Sequence, residues 1–208
     1  MGFLEFFRRP PPVRTRDDLA DFIDRNAAFV VQKGLYEYSR ARAGHYAKVL
    51  FVDPAFQRAA EEARWRAYPL GLAMVGEMAE GILRPHANQQ GGGDHFQPMV
   101  ELILSVFDRY PVPPSMSARA WNEARRELEH RLQLIALHPP KRAMDIPEVF
   151  AKPYFELMPI HEKLRGRDFP TIHNFLKVTL CNIHDELIKR GDPASLAAQL
   201  RAAPGSQA

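Results

Sequence analysis

Residues 70–83 read LGLAMVGEMAEGIL, and this stretch decides how the rest of the chain folds. Its apolar start, residues 70–76, is less than half as long as the roughly 18 residues that a membrane-spanning helix needs. At helical spacing, the large apolar side chains point to most sides of the helix rather than to one face. The stretch therefore predicts a helix buried in a protein core. Those side chains are Leu70, Leu72, Met74, Val75, Met78 and Ile82.

Signals for helix ends lie on both sides of this segment. Asp53 followed by Pro54 combines a capping side chain with proline at the first helical position, which predicts a helix from Pro54 to about Leu83. The glycine-rich residues 85–95 predict a flexible loop. Thr15 and Ser117 are further expected N-caps, and Gly44 is an expected weak point. The predicted helices cover residues 15–50, 54–83, 98–110, 117–137, a short stretch from 147, 170–191 and 193–202.

Proline separates these helices, and 18 of the 208 residues are prolines. Val, Ile and Thr seldom alternate with polar residues, so no pair of strands is predicted. The sequence therefore predicts an all-α, single-domain bundle of about six to seven helices, punctuated by proline. We expect an N-terminal arm over residues 1–14, a helical domain over 15–202 and a frayed tail over 203–208.

The composition is that of an ordinary globular protein, with 46% hydrophobic and 25% charged residues. This excludes the collagen-like, disordered and disulfide-rich classes, and the single cysteine, Cys181, cannot form an internal disulfide. No secretory signal is expected, because Arg8, Arg9 and three prolines interrupt the short apolar start. We therefore expect a cytoplasmic protein that associates with a membrane if its arm docks there.

The net charge of +3 is concentrated in the first 16 residues, which hold four arginines and one glutamate. The other 192 residues carry 24 basic and 24 acidic side chains. A nucleic-acid-binding protein usually spreads basic residues over a folded face, so there is no strong signal for nucleic acid. Aromatic residues followed by arginines instead predict an arm that docks on an anionic membrane or a protein partner. The arm residues are Phe3, Phe6, Phe7, Arg8 and Arg9.

Polar residues on two predicted helices are the candidates for catalysis. Tyr38, Arg42 and His45 follow one another at i, i+4 and i+7, so they share one face of the first helix. His184 and Asp185 lie on the last long helix, and an approach of His184 to His45 would create an acid–base site. The alternative is that these side chains are solvated or paired within the structure.

A candidate anion site lies in two basic loops. Arg142 follows two prolines in one loop, and Lys163, Arg165 and Arg167 precede the last long helix, whose N-terminus favours anions. If the loops meet, the arginines would bind phosphate or carboxylate through paired hydrogen bonds. The alternative is a solvated basic surface.

The sequence has few features of a metal-binding or nucleotide-binding protein. Helical di-iron proteins use two Glu-x-x-His motifs, and this chain has one, Glu127 to His130. The glycine-rich motifs that bind nucleotides are absent. We therefore predict neither a metal site nor a cofactor.

These features favour a non-enzymatic helical adaptor or assembly factor. It would bind a protein partner and sit peripherally on a membrane through its N-terminal arm. Two alternatives remain open. One is a small helical enzyme or ligand-binding protein with a polar or anion site near His45, His184 and Arg165. The other is weak nucleic-acid binding, which the neutral body of the chain disfavours.

Overall fold

The computed structural model describes residues 11–89 and 96–201, and in these ranges it confirms an all-α bundle. None of the described helices is both long and apolar enough to cross a membrane. Short 3-10 turns at Gly44–Tyr46 and Ile146–Glu148 connect helices. The helices are α1 (Arg16–Ala43), α2 (Ala47–Leu50), α3 (Pro54–Gln89), α4 (Phe96–Phe107), α5 (Ala118–Ile135), α6 (Ala151–Glu156), α7 (Glu162–Arg165), α8 (Phe169–Arg190) and α9 (Pro193–Arg201).

Helix α3 is the centre of the bundle. All residues from Leu70 to Glu80 are buried, and the helix contacts α1, α4, α5, α8 and α9. Contacts on this many sides explain why apolar residues occur all around the helix. The predicted end near Leu83 and the predicted loop from residue 85 are wrong, because α3 continues through Pro85 to Gln89. Burial of Leu83 and Ala87 keeps the helix packed on both sides of that proline.

The predicted caps are present. The Thr15 side chain accepts a hydrogen bond from the backbone N–H of Asp18, and the Asp18 carboxylate accepts one from the backbone N–H of Thr15. The Asp53 carboxylate accepts from the backbone N–H of Phe56 over 2.8 Å. Ser117 caps α5 in the same way. These bonds satisfy backbone donors that the first helical turn leaves without partners.

The connection between α1 and α3 departs from the predicted continuous helix over residues 15–50. Gly44 has a φ of 54°, in the left-handed region that glycine adopts without a steric penalty. Helix α1 therefore stops at Ala43, and a 3-10 turn and the single-turn helix α2 follow. This change of direction places residues 44–52 on the surface.

The folded domain begins before the predicted boundary at residue 15. Val13 is buried, and its N–H donates to the carbonyl oxygen of Arg190 over 2.9 Å in an isolated β-bridge to Gly191. Arg190 in turn donates through Nε to the carbonyl oxygen of Pro11. Residues 11–14 thus belong to the helical domain. The predicted docking residues Phe3 to Arg9 and the predicted frayed tail lie outside the described residues.

Candidate functional site

Two predicted catalytic residues, Tyr38 and Arg42, meet one carboxylate at the C-terminal end of α1. The Tyr38 hydroxyl donates to Oδ2 of Asp168 over 3.1 Å, and Nε of Arg42 lies 3.2 Å from the same oxygen. Arg42 also donates through Nη2 to the carbonyl oxygen of Leu164. Because Asp168 directly precedes α8, these bonds fasten the start of α8 to the end of α1.

The hydrogen bonds and charges of Tyr38, Arg42 and Asp168 are those of a structural cross-link between α1 and α8. Burial, followed by the hydrogen bond to Asp168, raises the pKa of Tyr38 to about 12. A phenol with that pKa stays protonated at neutral pH and is a poor general base. The Arg42 guanidinium is occupied by Asp168 and a backbone carbonyl. We therefore assign Tyr38 and Arg42 to the packing of the bundle.

We expect Tyr38→Phe to reduce the loss of stability at alkaline pH. A raised pKa in the folded state stabilises the protein fully below the unfolded pKa of about 10. That contribution disappears as the pH rises through about 12. The unfolding free energy of the wild-type protein should therefore fall more steeply above about pH 10 than that of the variant. Urea titrations from about pH 8 to about pH 11 measure both slopes, and parallel slopes would contradict this role of Tyr38.

The other predicted catalytic residues lie elsewhere. His45 is exposed in the 3-10 turn, where its ring centroid is 4.2 Å from that of Tyr46. His184 lines a cavity beside α3, and its Nδ1 is 3.2 Å from Oδ1 of Asp185. His45 therefore contacts Tyr46, and His184 lies beside Asp185. The acid–base site that an approach of His184 to His45 would create stays a hypothesis.

The residues of the predicted anion site make different contacts. Arg165 donates to the carbonyl oxygens of Phe155, Glu156 and Ile160 at 2.7 to 3.1 Å, so its guanidinium holds the backbone before α7. Lys163 and Arg167 are exposed near this turn. Arg142 lines the cavity that contains His184.

The cavity beside α3 brings together side chains that the sequence did not connect. It has a volume of about 270 Å³ and lies between α3, α8 and the loop that follows α5. His184 comes from α8, Lys141 and Arg142 from the loop, and His86 from α3. Sequence analysis missed His86, because this residue fell in a segment predicted to be a loop. We call the cavity that carries these four side chains the basic cavity.

A buried ion pair holds the loop that closes the basic cavity. Glu80 is 2% exposed and accepts two hydrogen bonds of 2.7 Å from Arg84. The same guanidinium donates to the carbonyl oxygens of Ile135 and His138, where α5 ends. Arg84 therefore ties the end of α5 to α3. The sequence indicated an ion pair of this kind, because Glu80 lies inside an apolar helix and a carboxylate buried there needs a partner.

The carboxylates of Glu77 and Glu127 are bound by cationic side chains. Glu77 accepts a hydrogen bond of 2.8 Å from Nζ of Lys141. Glu127, in the single Glu-x-x-His motif, pairs with Arg131. Among residues 11–89 and 96–201, no group of three or more His, Cys, Asp and Glu side chains is placed to hold a metal ion.

An exposed apolar surface lies where α1 is joined to α3. Tyr46, Val49 and Leu164 line one depression of about 460 Å³ and are 66%, 67% and 60% exposed. Contiguous apolar side chains with this much exposure are typical of binding surfaces. Sequence analysis missed them, because Tyr46 and Val49 fell within a predicted continuous helix. We call these three residues the junction patch.

The segments that carry the junction patch are basic. Residues 40–53 and 160–168 hold six lysines and arginines against three acidic residues, a net charge of +3. Since residues 17–208 are neutral overall, the rest of the body carries a net charge of −3. Within residues 17–208 the positive excess therefore lies in these two segments, while Arg14 and Arg16 add positive charge at the start of the folded domain. The exposed basic residues of the two segments are Arg40, Arg42, Lys48, Lys163 and Arg167, of which Arg42 is paired with Asp168.

Comparison with known proteins adds no assignment. No protein-family model, curated protein or solved structure matches this chain. The function is therefore inferred from the basic cavity, the junction patch and their surroundings.

Proposed function

We propose that this protein is a non-enzymatic helical adaptor that docks on an anionic membrane surface and presents its other faces to a protein partner. The observation that carries the proposal is the junction patch, with its exposed apolar side chains in basic surroundings. In this proposal the main membrane contact is at the end of α1, whereas the sequence alone predicted it on the N-terminal arm. The arm is a second contact in this proposal.

The chemistry of the junction patch suits the interface between water and lipid. Tyr46 combines an apolar ring with a polar hydroxyl, as tyrosines at membrane interfaces do. Val49 and Leu164 would each gain on the order of 1.5 kcal/mol by leaving water for the acyl region. Each nearby lysine or arginine adds on the order of 1 kcal/mol at an anionic surface. Together these contributions predict reversible binding that depends on salt.

Helix α1 has 28 residues, so about 40 Å separates its first residue, Arg16, from its last, Ala43, which lines the depression of the junction patch. A deletion of residues 1–10 removes no member of the junction patch. It also keeps Val13 in the core and the hydrogen bond from Arg190 to Pro11.

We expect the double substitution Val49→Asp and Leu164→Asp to weaken vesicle binding at least about tenfold. The two aspartates remove apolar contacts and add charges that anionic lipids repel, and about 1.4 kcal/mol already corresponds to a factor of ten. Co-sedimentation with phosphatidylcholine vesicles containing phosphatidylglycerol measures the loss. Vesicles of phosphatidylcholine alone should bind the wild-type protein much more weakly. The unfolding transition of the variant should be nearly unchanged, since both side chains are exposed.

The matched control is Val149→Asp, which makes the same substitution at a valine that is 57% exposed in another part of the chain. It should bind vesicles like the wild-type protein. Equal losses in the control and the double variant would contradict a specific patch. Loss of binding only on deletion of residues 1–10 would make the arm the membrane contact. If the wild-type protein binds no anionic vesicles, the membrane proposal is wrong.

A further inference from the structure

The basic cavity differs in charge from the other depressions of the described surface. None of the residues that line it is acidic. Four other depressions among the described residues each include at least one carboxylate. A cavity lined by nitrogen-bearing side chains in a neutral body points to an anionic ligand.

On the loop side of the cavity, Lys141 and Arg142 have hydrogen-bond donors that no described residue uses. Arg142 donates through Nε and Nη2 to Asp145, which leaves both N–H groups of Nη1 without a partner among the described residues. Lys141 donates to Glu77 through one of its three ammonium hydrogens. The ion pairs therefore position the two side chains without using all of their donors.

The helix side adds two imidazoles. His184 has Nδ1 beside Asp185, which orients the ring and leaves Nε2 without a partner in the described part of the chain. His86 forms no hydrogen bond there, and both rings are half-buried. Donors thus reach the cavity from α3, α8 and the loop, and Nε2 of His184 donates in the imidazolium form, in which both ring nitrogens carry hydrogens.

This arrangement suits a phosphate group better than a carboxylate. A carboxylate is planar and accepts two parallel hydrogen bonds from paired N–H groups of one arginine. In Arg142 the pair formed by Nε and Nη2 already donates to Asp145. The remaining donors come singly from three segments, which matches the three outward oxygens of a phosphate ester. Met78, Ile82 and Ile188 line the rest of the cavity and would contact a small organic part.

We propose that the basic cavity binds a small phosphate ester, with its phosphate between His86, His184 and the free donors of Lys141 and Arg142. The volume of about 270 Å³ limits the ligand to a phosphate and a small organic group. The proposal is independent of the junction patch, which shares no lining residue with this cavity.

The test uses inorganic phosphate and pyrophosphate as probes in isothermal titration calorimetry with the full chain. We expect binding with a dissociation constant of about 1 mM or tighter, and acetate at equal ionic strength should give no signal. The double substitution His86→Gln and His184→Gln should weaken binding at least about tenfold. Arg142→Gln should weaken it as well without unfolding the protein, since its side chain is 75% exposed.

The matched control is the double substitution His45→Gln and His161→Gln, which removes two exposed imidazoles away from the cavity. It should bind phosphate like the wild-type protein. Equal losses in the two double variants, or a wild-type protein that binds neither soluble phosphate nor vesicles containing phosphatidic acid, would overturn the proposal. Phosphate can also come from a lipid headgroup, so vesicles containing phosphatidic acid are a second arm. Weaker binding of His86→Gln, His184→Gln to those vesicles, with no response to soluble phosphate, would show that the ligand is a lipid.

Discussion

Replacing Arg84 by methionine is expected to lower the free energy of unfolding by about 3–5 kcal/mol. The substitution removes two short hydrogen bonds from the deeply buried Glu80 carboxylate. It also leaves the carbonyl oxygens of Ile135 and His138 without this donor at the end of α5. Removing hydrogen bonds from a buried charge is costly, because water cannot replace them. Urea-induced unfolding, followed by circular dichroism, measures the change.

Arg66→Met is the control for this prediction. Arg66 lies in the same helix, pairs with Glu62 four residues away, and both side chains are more than half exposed. An exposed pair with this spacing contributes about 0.5 kcal/mol or less, so the control should unfold almost like the wild-type protein. Similar losses from the two substitutions would show that the burial of Glu80 does not determine the effect.

Phe107→Ala is expected to cost about 3–5 kcal/mol of unfolding free energy. Phe107 is almost fully buried at the end of α4, and its ring stacks on that of Trp121 with centroids 4.2 Å apart. The substitution opens a cavity between α4 and α5 and removes the stacking contact. Phe29→Ala, at a phenylalanine that is 45% exposed on α1, should cost less than about 1 kcal/mol.

A second variant keeps the Phe107 prediction testable if the alanine variant does not fold. Phe107→Leu retains most of the apolar volume and should cost about 1.5 kcal/mol or less. Urea unfolding of both variants and the Phe29→Ala control gives the order of the losses. A Phe107→Ala variant as stable as the Phe29→Ala control would contradict the position of this ring in the core.

The parts of the fold that could be predicted depend on interactions within a few residues. Thr15 with Asp18 and Asp53 with Phe56 are caps that close within three positions, so residue types at that spacing are enough to find them. The central position of α3 also followed from its composition, since a helix that is apolar on nearly all sides is buried on nearly all sides. The same composition did not show that α3 continues through Pro85.

The candidate sites could not be predicted, because their members are distant in the chain. Tyr38 meets Asp168 across 130 positions, and Arg142 meets His184 in a cavity that depends on how the loop after α5 packs. The helical spacing of Tyr38, Arg42 and His45 was correct for one continuous helix, but α1 ends before His45. Spacing within one helix does not determine which other helix it faces.

The junction patch was missed for a different reason. Tyr46 and Val49 fell within a predicted continuous helix over residues 15–50, which did not distinguish them from the other residues of that helix. The left-handed backbone of Gly44 redirects the chain, so that these side chains lie beside Leu164 at the surface. The conformation of one glycine thus determines where these exposed side chains lie.

Backbone amide exchange in the presence of anionic vesicles tests the central claim, membrane docking through the junction patch, most directly. The protein is exposed to deuterated water with and without phosphatidylglycerol-containing vesicles, and exchange is followed peptide by peptide. We predict slower exchange in residues 43–53 and 160–166 when vesicles are present, and unchanged exchange around Val149. Unchanged exchange in residues 43–53 and 160–166 while the protein is bound to vesicles would contradict docking through the junction patch.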